Sequence, residues 1–106
     1  MPKYLVTGAY THEGLKGLLK EGGSGRRKAV EDAVKAMGGR LEAYYFAFGD
    51  NDVVSIVDVP DNVTAATLAI GISSTGTVGT KTTVLLTPEE VDEATKKTLS
   101  FRAAGQ

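Results

Sequence analysis

Between Arg40 and Val59 the chain carries two neighbouring strand-like segments that are apolar on both faces. In the first, Leu41, Ala43, Tyr45 and Ala47 alternate onto one side, while Tyr44, Phe46 and Phe48 follow Glu42 onto the other. In the second, Val53, Val57 and Val59 surround Ser55 on one side, and Val54 and Ile56 line the opposite side. A strand presents successive side chains to opposite faces. An antiparallel sheet with one wet face therefore alternates apolar and polar residues, and strands without that alternation are covered on both sides. Any fold for this chain must supply two covers for one sheet.

The remaining punctuation orders the elements. Lys3 to Tyr10 is rich in β-favouring residues and reads as a strand. Thr11 is placed to cap a short helix through Lys20, with Leu15, Leu18 and Leu19 at helical spacing. Gly22-Gly23-Ser24-Gly25 interrupts it, and a second helical stretch runs from about Arg26 to Met37, with Val30, Ala33, Val34 and Met37 on one stripe. Gly38-Gly39 ends it. The strands Arg40–Phe48 and Asp52–Val59 flank Gly49-Asp50-Asn51 as a hairpin, since those residue types suit a tight turn. Pro60 closes the hairpin, and Asp61 or Asn62 caps a helix through about Ile72. Gly76 restarts the chain into a Thr- and Val-rich strand, Thr77 to Leu86. Thr87-Pro88-Glu89-Glu90 is a capping box with proline at the first helical position, opening a last helix that ends near Lys96 and Lys97.

The order β-α-β-β-α-β with right-handed crossovers specifies an α+β ferredoxin-like plait: a four-stranded antiparallel sheet with helices on one face, plus a C-terminal helix. A length of 106 residues suits one domain, read here as residues 1–98, with 99–106 as a tail. Helices on one face leave the other sheet face open. The helix after Pro60 repeats the problem, because Val63, Ala65, Ala66, Leu68, Ala69, Ile70 and Ile72 surround it and no charge interrupts them. A helix apolar all round is usually buried all round. A homodimer or higher homo-oligomer is the expected partner arrangement, two-fold closure being the commonest.

Composition removes several chemistries. There is no cysteine, which excludes thiol nucleophiles, cysteine metal sites and disulfides. The net charge of −1 provides no field to hold nucleic acid, and the basic residues are not interleaved with aromatics. The longest uncharged stretch, Asn62 to Thr80, is broken by glycine, serine and threonine, so no membrane association is expected. The start, Met1-Pro2-Lys3-Tyr4, runs directly into a strand without a signal-peptide core, so the expected location is cytoplasmic.

Several segments together resemble the GYD domain family: Tyr10-Thr11-His12-Glu13-Gly14, Gly38-Gly39-Arg40-Leu41, Val59-Pro60-Asp61-Asn62 and the hairpin run Tyr45 to Val54. In the hairpin, Gly49, Asp50 and Asp52 align with the signature, and Asn51 stands in the place of its tyrosine. The resemblance implies a ferredoxin-like fold that pairs sheets face to face in the manner of dimeric α/β barrels. It implies little chemistry.

Candidate site residues follow from residue type. His12 is the only histidine, the one side chain that titrates unperturbed near neutrality; with Tyr10 two residues earlier it is the catalytic candidate. The competing reading of Thr11-His12-Glu13 is an ordinary helix start. Asp50 and Asp52 bracket a turn and could meet a ligand or a hard cation, although turns favour aspartate for backbone reasons and no metal is expected. Ser24, Arg26 and Arg27 follow a glycine-rich lead-in, an arrangement that suits a phosphate or carboxylate, with the two arginines as a clamp. Tyr44 belongs to a set of tyrosines able to line a cleft for a small aromatic ligand. These features point to a small-molecule-binding or regulatory oligomer without cofactors. The competing classes are a cofactor-free enzyme of the oxygenase or isomerase type and a structural assembly protein.

Overall fold

A computed structural model describes all residues, 1–106. The elements run β1 (Lys3–Tyr10), α1 (His12–Ala36), β2 (Arg40–Phe46), β3 (Val53–Asp58), α2 (Asn62–Ser73), β4 (Val78–Leu85) and α3 (Pro88–Lys96). The four strands form one antiparallel sheet in the order β2-β3-β1-β4, the ferredoxin-like plait with an added C-terminal helix. No helix is long and apolar enough to cross a membrane.

Each helix starts where a short polar side chain satisfies the first free amides. The Thr11 hydroxyl accepts the Gly14 N–H and donates to the Gly76 carbonyl, pinning the start of α1 to the segment before β4. Asp61 accepts the Thr64 N–H at 2.8 Å. Thr87 and Glu90 form the reciprocal capping box at α3. Gly14 permits the first of these junctions, since a Cβ there would sit 1.9 Å from the Thr77 carbonyl oxygen.

Two sequence expectations are corrected in detail. The glycine-rich segment does separate two helical halves of α1, but the break is a single residue: only Gly22 leaves helical geometry, at φ 78°, and Gly23–Gly25 already belong to the second half. One residue in the left-handed region, available to glycine at little cost, is enough to turn the axis. Arg26, Arg27 and Lys28 therefore lie one turn inside that half rather than in its first turn. The second correction concerns β2. Leu41 pairs with Val57 and Ala43 with Ile56, so Glu42 is an extra residue in a bulge. The bulge reverses the side-chain alternation, and Leu41 joins Tyr44 and Phe46 on the helix-covered face instead of sharing a face with Ala43 and Tyr45. The hairpin strands are also shorter than expected, with Ala47–Asp52 forming the connection.

The core lies between sheet and helices, where Tyr4, Val34, Val57, Val59 and Ala65 pack together, flanked by Val6, Val30, Leu41 and Leu68. The Tyr4 hydroxyl donates to Asn62, which satisfies the buried phenol at the start of α2. On the other sheet face, Leu5, Ala9, Ala43, Tyr45, Val54, Ile56 and Leu85 share the surface with Thr7, Lys81 and Thr83 by strand alternation. No element of the same chain covers that face as α1 and α2 cover the opposite one. Only 10 of 106 residues are buried, and the accessible surface is 7346 Å². A compact monomer of this mass exposes about 5,700 Å². The radius of gyration, 17.0 Å, likewise exceeds the ~13 Å of a compact chain this long.

An ionic cluster closes one end of the sheet. Asp58 accepts hydrogen bonds from Lys3 and Arg40, each at 2.8 Å, and Lys3 also reaches Glu42 at 2.8 Å. Burial works against the Asp58 charge, but the two cationic donors outweigh it and hold the carboxyl below its usual range. Because the folded pKa lies below the unfolded one, Asp58 stabilises the fold above the ordinary aspartate value of about 3.9. That contribution drains away as pH falls through the lowered folded value. Asp58→Asn is expected to cost about 1–3 kcal/mol at pH 7 and far less near pH 2, read by urea unfolding at both pH values.

Candidate functional site

A cleft opens where β1 ends and α1 begins. Its mouth, about 300 Å³, is bounded by Tyr10, Gly14, Gly17, Glu21, Arg26, Ile72, Thr75 and Thr77. Next to it lies a chamber of about 50 Å³ whose walls are Val6, Val30, Tyr44, Val53, Ile72 and Val78, with Tyr10 and Arg26 shared with the mouth. Gly8 forms part of the floor, and a Cβ there would come within 2.9 Å of Val78. Ser55 and Thr80 line the chamber, but their hydroxyls are engaged: Ser55 donates to the Val6 carbonyl at 3.0 Å, and Thr80 bonds Ser73 at 2.9 Å.

The kink in α1 shapes this opening. Phe46 packs its ring against Gly23, where a Cβ would lie 3.0 Å from the ring edge. Tyr44, two residues earlier on the same face, meets Phe46 edge to face with centroids 5.4 Å apart. Beyond Gly22, Arg26 turns inward and pairs with Glu21 at 3.1 Å, across the bend. Burial disfavours the Arg26 charge, but Glu21 and the nearby Tyr10 hydroxyl together hold its pKa above the usual arginine value. Burial also raises the Tyr44 phenol well above the tyrosine range, reinforced by Tyr10 and only partly opposed by Arg26. Tyr44 is thus a neutral hydrogen-bond donor, not a base, throughout the physiological range.

The sequence candidates separate in space. Tyr10, Arg26 and Tyr44 come together at the cleft. Arg27 does not join them: neighbours on a helix point about 100° apart, and Arg27 faces an outer groove along β2 with Tyr44 and Tyr45. The two arginines therefore do not clamp one anion. Ser24 is exposed beside that outer groove. His12 is exposed at the first position of α1 and lines neither cleft nor groove. Asp52 accepts the Tyr10 backbone N–H at 2.8 Å, a positioning role for the strand that carries Tyr10. Asp50 is exposed in the connecting loop, and no three His, Asp or Glu side chains converge as a metal site would require.

Glu21, Val30 and Ile72 were not singled out from sequence as site residues. Arg26, Val30 and Val34 recur at four-residue spacing, which places Arg26 on the inward stripe of α1 and was the available signal. Ile72 comes from the far end of α2, and only the packed fold brings it to the cleft.

Comparison with known proteins gives one match. The GYD domain model matches residues 4–95. No curated protein and no solved structure shows significant similarity to the chain.

In an alkaline absorbance titration, Tyr44→Phe is expected to remove a component that ionises well above the ordinary tyrosine range.

Proposed function

We propose, from the premise that this chain belongs to the GYD domain family, that it is a cytoplasmic homo-oligomer whose cleft binds a small molecule with a flat apolar body and one acidic group. The observation that carries this reading is the inward Arg26, held with Tyr10 and Tyr44 at the lip of an apolar chamber. A cation beside phenol hydroxyls offers charge-assisted hydrogen bonds to a carboxylate or phosphate. The valines and Ile72 below offer burial to the rest of the ligand. Glu21 occupies Arg26 in the free protein, and an acidic ligand takes over that partnership.

The oligomer follows from surface economy. Each chain exposes roughly 1,700 Å² more than a compact monomer of its mass. Pairing two open sheet faces, as dimeric α/β barrels do, covers Leu5, Val54, Ile56 and Tyr45 with an identical surface. Binding rather than turnover is favoured because Tyr44 stays protonated and His12 lies outside the cleft.

A panel of small aromatic and aliphatic carboxylates tests the reading by thermal unfolding. A true ligand at a hundredfold excess over its Kd stabilises the protein by about 2.7 kcal/mol. Arg26→Gln is expected to weaken that ligand by about 1.5–3 kcal/mol, the contribution of hydrogen bonds to a charged group. Arg27→Gln is expected to leave it unchanged. Equal loss in both variants, or in neither, contradicts the assignment.

A further inference from the structure

Helix α3 and the segment after it have no place in the single chain. All nine residues of α3 and everything beyond it are exposed, including Val91, Leu99 and Phe101. The molecule measures 57 × 33 × 22 Å, elongated for a chain of this length. The helix is nevertheless well specified, with a complete capping box and proline at its start. A formed helix with no packing of its own is marginal in water, because helices this short draw most of their stability from a packed face.

An unoccupied counterpart exists on the opposite edge of the sheet. A groove of about 370 Å³ runs between α1 and β2, bounded by Arg27, Lys28, Glu31, Leu41, Glu42, Tyr44 and Tyr45, with Lys28, Glu31 and Glu42 each paired to a neighbour. Arg27 forms no ion pair, and Tyr45 is 70% exposed. On α3, Glu90 is engaged in the cap, whereas Glu89, Asp92 and Glu93 form no ion pairs and accompany Val91. An acidic helix with an apolar residue thus matches a groove whose one unpaired charge is an arginine beside the exposed Tyr45 ring.

We infer that the β2-edge groove of each copy is the docking site for the C-terminal arm, α3 and the residues after it, of a second copy. The inference rests on the homo-oligomer proposed above. Geometry favours exchange over fold-back. The arm leaves β4, and β4 and β2 are the two opposite edges of the sheet. Those edges lie about 14 Å apart at the usual strand spacing, while the two connecting residues, Leu86 and Thr87, span only about 7 Å. When two sheets stack about a two-fold axis parallel to the strands, β4 of one copy lies over β2 of the other. The arm then arrives beside its partner's groove.

Because the chain has no cysteine, introduced thiols report proximity cleanly. Full-length Tyr45→Cys and Val91→Cys chains, both changed at exposed positions, are co-refolded and oxidised. A disulfide between the two variants, in yield well above either alone, is expected. In a parallel series, Arg27→Glu is expected to weaken self-association about tenfold, and adding Glu89→Arg and Asp92→Arg to the same chain is expected to restore it. If the protein is dimeric but the mixed disulfide does not exceed the yield of either variant alone, arm exchange is overturned while the oligomer stands. An Arg27→Glu chain that associates normally also overturns it. A full-length chain that is monomeric at micromolar concentration overturns both.

Discussion

One layer of helices cannot hide two apolar faces of a sheet, and that shortage of cover governs this structure. Burying apolar surface contributes about 25 cal/mol per Å² and is the main force opposing chain entropy. With ten residues buried, the single chain leaves much of that contribution unrealised. The open face, the charge-free α2 and the projecting α3 are three expressions of the same deficit. A second copy stacked on the sheet, as proposed, would cover the open face and receive the projecting α3, which a ligand in the cleft could not do.

The two ends of the sheet are built differently. At the Lys3 end, Lys3, Arg40, Glu42 and Asp58 lock three strands together with charged hydrogen bonds. At the Tyr10 end, small residues prevail: Gly8 opens the chamber floor, Gly14 lets α1 approach β4, and Gly22 bends α1 toward Phe46. The cleft at this end therefore opens where side chains are small at the junction of sheet and helix. Arg26 reaches that space because the helix bends one turn before it. The site is a consequence of the kink as much as of the residues that line it.

What could be read from the sequence was whatever is encoded locally. Thr11, Asp61 and the Thr87–Glu90 pair act within three residues of themselves, and each marks its helix start in the structure. The antiparallel plait followed from the order of elements and the right-handed crossovers. The Glu42 bulge was hidden because a bulge is a property of pairing between β2 and β3, not of either strand alone. The choice of Gly22 among three candidate glycines was hidden for a related reason, since Phe46, distant in sequence, packs where Gly23 begins the second half of the helix. At the cleft, residue types were informative but grouping was not. Arg26 and Arg27 look equivalent in sequence and diverge on the helix, while Tyr10 and Tyr44 meet only through the register of three strands.

Sedimentation equilibrium of the full-length protein at micromolar concentration addresses the shortage of cover most directly. Two chains, or a higher whole multiple of the 11.1 kDa protomer, are expected. A stable species of one protomer mass, folded and with that face freely hydrated, would contradict the account at its root.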